Sequence, residues 1–169
     1  DRVGIGTATP MNILQVNNGG GDGDDGIMIV STDTTTSAGN LLGGIGFDTV
    51  DGNVPSSITE ASAYIAAYAA ENHAATDKGG DLVFGTTTIN DDDDTTSHEW
   101  IRIKDDGKVG INHATPQHTL DVSGVANFVN GVRSSGLMVA NTGIELHVNT
   151  PATTSNKLYN VGGVLYFNG

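Results

Sequence analysis

Five histidines, His73, His98, His113, His118 and His147, are the chain's candidate bases and metal ligands. Ser97-His98-Glu99 has the residue types of a nucleophile, a base and an acid. The three are contiguous, however, and neighbours on a strand point to opposite faces, so they make a poor catalytic set. No G-x-S-x-G occurs in the chain. His113 and His118 flank a Thr-Pro turn; copies gathered at a symmetry axis would hold a metal ion, and an exposed turn is the plainer reading. Asp91–Asp94 and Asp22-Gly23-Asp24-Asp25-Gly26 cluster carboxylates without EF-hand spacing. Solvated, self-repelling loops are the expectation for both. Gly4-Ile5-Gly6 lacks the third glycine and the following helix of a phosphate loop. The most pointed constellation is Trp100-Ile101-Arg102-Ile103-Lys104, which holds the only tryptophan. On a strand, Trp100, Arg102 and Lys104 share the face opposite Ile101 and Ile103. An indole beside two cations outside the core is a platform for stacking on a sugar ring. Packing of Trp100 against Tyr64, Tyr68 or a neighbouring chain is the plainer alternative. These five residues, Trp100, Arg102, Lys104, Tyr64 and Tyr68, form the candidate glycan or receptor contact. No catalytic residue, cofactor or resident metal is assigned.

Composition limits what could position them. Lys plus Arg is 7 against Asp plus Glu at 20, a formal charge of −13. Such a chain repels a phosphate backbone, so no nucleic-acid partner is expected. No apolar run approaches the ~20 residues of a membrane span, and no membrane insertion is expected. Cysteine is absent, which excludes disulfides and thiolate chemistry. The 24 glycines and the many Thr, Asn and Asp favour short strands and turns. Aromatics are only 5% of the chain, too few for a thick core in a monomer. A chain of this kind completes its core with copies of itself or with a repeating backbone. The absence of Met at Asp1 and of a signal-peptide pattern reads as a piece of something longer.

The strongest organisational signal is an internal repeat. Residues 2–16 (RVGIGTATPMNILQV) and 108–122 (KVGINHATPQHTLDV) are identical at 8 of 15 positions, at an offset of 106. Each copy reads as a short strand, a Pro-containing turn and a second short strand. Further strands are predicted at 27–30, 41–47, 82–84 running into 86–89, 100–104, 125–129, 137–139, 144–148, 157–160 and 164–167. The glycines of Leu41–Phe47 (LLGGIGF) mark a close approach of two backbones. Strand signals this dense indicate an all-β chain. Residues 58–72 are ambiguous. Ile58, Ala61, Ile65 and Tyr68 fit helical spacing and propensity favours a helix. The short polar loop to GGDLVFGTTT suits a β-hairpin instead. Three segments are expected: 1–38 (first repeat), 39–106 (hairpin module) and 107–169 (second repeat and C-terminal β-shaft).

From Gly39 to Val122 the chain resembles shaft and tip repeats of bacteriophage tail fibres. The resemblance rests on Gly44-Ile45-Gly46-Phe47, Ala63-Tyr64-Ile65-Ala66-Ala67, Gly80-Asp81-Leu82-Val83-Phe84-Gly85-Thr86, Glu99-Trp100-Ile101-Arg102-Ile103, Gly107–Pro116 and Leu120–Gly124. The stretches 156–160 and 165–169 resemble the segment before an intramolecular chaperone in such fibres. Trp100 stands where the pattern has Arg, and Asn112-His113 where it has Gly-Thr. The motifs mark an architecture and no activity. The resemblance implies a strand at 58–72. It implies an all-β, elongated trimeric β-fibre of short strands and hairpins, with strands shared or stacked between chains. Apolar faces such as Val109/Ile111 and Ile101/Ile103 would then be buried against symmetry mates. The implied role is structural: a tail-fibre part on the virion, outside the cell, that presents a surface to a host glycan or protein receptor. Its partners would be its own copies and other tail or fibre proteins. The runner-up is a bacterial extracellular adhesin or filament subunit. The third reading is a fibre-borne glycan-cleaving enzyme, which needs two carboxylates held ~5–10 Å apart.

Overall fold

The structure is a computed structural model that describes residues 1–17, 27–52, 54–89, 97–129, 132, 135, 157–161 and 164–168. The chain divides into two compact units, residues 1–126 and 127–169. The first unit holds β1 (Val3–Ile5), β2 (Leu14–Val16), β3 (Leu41–Phe47), β4 (Ala63–Ala69), β5 (Gly80–Thr87), β6 (Ser97–Ile103), β7 (Val109–Ile111) and β8 (Leu120–Val122). Strands β3 to β8 form one open sheet of six in sequence order, and β1 pairs with β2 alone. In the second unit β9 (Lys157–Val161) and β10 (Val164–Asn168) form an antiparallel hairpin. Among the described residues the only helical piece is a 3-10 turn at Ile58–Glu60. Among the described residues no helix is long and apolar enough to cross a membrane.

The all-β expectation therefore holds. Residues 63–69 form a strand and not a helix. Local propensity loses because Ala63–Ala69 is paired along both edges, with β3 and with β5. The four-residue strand expected at 27–30 is absent. Ile27, Met28, Ile29 and Val30 pair with no strand, and all are more than half exposed. Residues 125–129 also form no strand. The expected strands at 137–139 and 144–148 lie outside the described residues.

The two faces of the large sheet differ. One carries Tyr64, Ala66 and Tyr68 of β4 beside Gly85, Val83 and Asp81 of β5. Along β5 burial alternates cleanly, with Asp81, Val83 and Gly85 inside and Leu82 outside. The turn at 58–60 covers this face. It packs on bare backbone: a Cβ at Gly44 would strike Ile58, and one at Gly46 would lie 3.2 Å from the Ala61 Cβ. The approach of two backbones expected at LLGGIGF is thus present. Ser97 Oγ donates to the Thr59 carbonyl and fastens the turn to β6. The opposite face carries Ile45, Ile65, Phe84, Ile101, Val109 and Leu120; Ile27 and Ile29 lie against its β3–β4 end, where a Cβ at Gly43 would strike Ile29, and no described strand or helix layers over the rest. The core is accordingly thin: Tyr64, Ala66 and Val83 with Ile58 and Tyr68 against them.

Both repeats fold alike. Within each copy the two strands are parallel, in equivalent register: Val3 opposite Leu14, and Val109 opposite Leu120. Parallel neighbours ordinarily need a crossover of a dozen or more residues. Here the chain returns within eight because it passes tightly over a glycine. A Cβ on Gly4 would strike the Thr7 carbonyl and lie 3.4 Å from Pro10 Cδ; one on Gly110 would strike the His113 carbonyl and lie 3.4 Å from Pro116 Cδ. The amide after each proline is capped alike, Met11 N–H by Gln15 Oε1 at 2.7 Å and Gln117 N–H by Asp121 Oδ2 at 3.1 Å. The exchange of Gly6 for Asn112 preserves the backbone. Gly6 has φ +73° and Asn112 φ +52°, and Asn is among the few residues that enter this left-handed region readily.

Candidate functional site

Charge concentrates on the covered face. Arg102 pairs with Val83 across β5–β6, so its guanidinium rises among the most buried side chains of the sheet. Asp81, only 4% exposed, accepts from Arg102 Nη1 at 2.8 Å, Lys104 Nζ at 2.6 Å and the Asp105 N–H at 3.0 Å. Arg102 also donates through Nε to Glu99 Oε1 at 2.8 Å and through Nη2 to Glu99 Oε2. Its guanidinium lies over the Tyr68 ring, 5.6 Å from the centroid. A buried carboxylate needs partners of this kind, since desolvation otherwise expels the charge. Burial pushes the Asp81 carboxyl up, but the hydrogen bonds from Lys104 and Arg102 outweigh it and hold the group below its ordinary value. The Glu99 hydrogen bonds raise Arg102 above its ordinary value despite burial. Burial pushes the Tyr64 and Tyr68 phenols up.

A cleft of about 480 Å³ opens beside this cluster, lined by Gly39, Tyr68, Asp81, Arg102, Lys104 and Thr115 among others. Three of the five residues singled out by sequence, Tyr68, Arg102 and Lys104, therefore meet at one place. Both cations there are engaged by carboxylates, so the cluster is a closed ionic knot and not a bare cationic platform.

Trp100 stands apart from them. The β5–β6 register shifts between Phe84 and Gly85, where Glu99 and Ile101, but not Trp100, find partners. This bulge adds one residue and breaks the alternation that would set Trp100 beside Arg102. Trp100 Nε1 donates to Thr86 Oγ1 at 2.7 Å, and its ring stacks at a tilt with His98 at 5.6 Å. Thr86 alternates with Phe84 and Leu82, so the indole belongs to the uncovered face. It is 37% exposed. Tyr64 is buried over Gly85 in the core and offers no contact surface. Arg102 and Lys104 correspondingly line the covered side, and the Ile101/Ile103 face is the open one.

Sequence inspection passed over Asp81. An Asp inside GGDLVF is a signal, because strands disfavour Asp unless a cross-strand cation answers it. Ser97, His98 and Glu99 do not converge: Ser97 binds the Thr59 carbonyl and Glu99 binds Arg102. His113 Nδ1 lies 3.3 Å from Asp121 Oδ2, without hydrogen-bond geometry. Among the described residues no three His, Asp or Glu side chains are grouped to hold a metal ion. Asp22–Gly26, Asp91–Asp94 and His147 lie outside the described residues.

Compared with known proteins, the chain matches no family model, and no curated protein sequence matches it.

Proposed function

We propose that this chain is a structural fibre module, a part of a phage tail fibre on the virion, whose copies associate as a homotrimer and present a host-receptor-binding surface. The observation that carries the reading is the part of the apolar face of the six-stranded sheet that Ile27 and Ile29 leave open. Ile45 is 52% exposed and Leu120 57%. Burying aliphatic side chains of this size contributes about 1.5–3 kcal/mol each. A face of them across six strands calls for a partner surface, and other copies of the chain supply an apolar face of the same chemistry. The tail-fibre resemblance of the same strands supports three copies. Receptor contact then falls to Trp100 with His98, at the margin of that face. Each contact is weak, and three on one rigid stem raise avidity through effective concentration. The role requires neither cofactor nor covalent chemistry.

Light scattering after size exclusion, at low and high protein concentration, tests it. A mass near three times 17.3 kDa that resists dilution supports the module. A stable monomer overturns it.

A further inference from the structure

We propose that the outer edge of β1 is a docking site for an antiparallel strand of β6 chemistry, an extended segment with a basic residue between two aliphatic ones. The internal repeat supplies the template. In the second copy β7 lies between β8 and β6. Its outer edge pairs Ile101 with Ile111, Arg102 with Gly110 and Ile103 with Val109. The ladder is closed at its ends by Asn112 N–H to the Trp100 carbonyl at 2.7 Å and Lys104 N–H to the Lys108 carbonyl at 2.8 Å. Hydrogen-bonded pairs alternate in such a ladder, so Gly110 exchanges both its backbone bonds with Arg102.

The first copy presents the same edge without the strand. The offset of 106 maps Lys108, Gly110 and Asn112 onto Arg2, Gly4 and Gly6. Val3 N–H and the Ile5 carbonyl are taken by the β2 side, at 2.7 and 2.8 Å, as Val109 and Ile111 are taken by the β8 side. The Arg2 carbonyl, both backbone groups of Gly4 and the Gly6 N–H are left along the outer edge, and no described strand pairs with them. Side-chain exposure follows: Val3 is 58% and Ile5 57% exposed, whereas Ile111 falls to 39% beside β6. A two-stranded sheet is marginal alone, and an open edge is a ready template for a further strand. The occupant's chemistry is set by the equivalent pair. Gly4, like Gly110, has no side chain to oppose the long basic residue across from it. The chain's charge of −13 also favours a basic segment over an acidic one. This inference stands on the repeat and does not depend on the fibre reading; light scattering tests that reading separately.

The test is backbone amide exchange, by NMR, in the ¹⁵N-labelled full chain with a synthetic peptide of residues 97–104. Exchange at Gly4 and Gly6 is expected to slow at least tenfold. A peptide N-methylated at the Arg102 amide, which cannot bond the Gly4 carbonyl, is expected to leave both rates unchanged. Where the free peptide binds too weakly to act, a chain with residues 97–107 fused directly to Arg2 decides, since the tether raises effective concentration. Unprotected Gly4 and Gly6 in that chain overturn the proposal. So does protection confined to β3 or β8. Protection that grows with protein concentration in the absence of peptide shows that a second copy occupies the edge, and also overturns it.

Discussion

The Tyr64 ring occupies the space directly above Gly85, its cross-strand partner, where a Cβ would fall among the ring atoms. The most buried aromatic of the sheet therefore rests on a residue that must lack a side chain. This pair anchors a core that otherwise consists largely of alanine and one valine.

Gly85→Ala is expected to destabilise the fold by about 1–3 kcal/mol through overpacking. Tyr64→Leu in the same chain should recover part of that loss, because the ring is what the new methyl meets. Urea unfolding of the two single variants and the double variant gives the coupling. Strictly additive effects would mean the two residues do not press on each other.

The Asp81 knot makes stability depend on acid. A carboxyl held below its ordinary value of 3.8 stabilises the fold above that pH, and the stabilisation is lost as pH falls through the folded value. Asp81→Asn should cost about 1.5–3 kcal/mol at pH 7, from hydrogen bonds between charged groups. The gap between variant and parent should close below pH 3.8 as the parent's carboxyl takes up a proton. Denaturant unfolding at a series of pH values checks it; a gap that stays constant with pH would show that Asp81 acts by shape alone.

Asn112 tests the backbone of the repeat. Its side chain donates to the Ser123 carbonyl at 3.1 Å, and its φ is +52°. Asn112→Ala should lower stability by about 1–2 kcal/mol, the left-handed penalty. Asn112→Gly, which restores the residue of the first copy, should cost less. Thermal unfolding ranks the two; Gly at least as harmful as Ala would assign the site to the hydrogen bond and not to the backbone.

If the open face joins copies of the chain, Ile45→Lys and Leu120→Lys should each reduce the solution mass towards 17.3 kDa. Both residues are more than half exposed, so the monomer's own fold should change by less than about 0.5 kcal/mol. An unchanged mass would place the interface elsewhere.

Much of this was legible in the residues. The internal repeat, the all-β class and the glycine-lined approach at β3 all follow from local rules. Alternation, turn chemistry and the fixed φ of proline act over a few residues, and nothing distant overrides them. Asn112 in place of glycine is likewise a local substitution with a local reason.

Other features needed the tertiary structure. Strand type at 63–69 was decided by two flanking strands against an alanine-rich propensity. The bulge at Trp100 arises from register between β5 and β6, and a single inserted residue moved the indole away from Arg102. Alternation in WIRIK separated two faces, but only the turn at 58–60, packing on Gly44 and Gly46, selected which face would be covered. Asp81 became the centre of the ionic cluster because folding set it beside Lys104 and Arg102, 23 and 21 residues along the chain. Sequence spacing carries the pleat; the choice of inner face, the register and the partner of a buried charge are set by contacts between segments far apart in the chain.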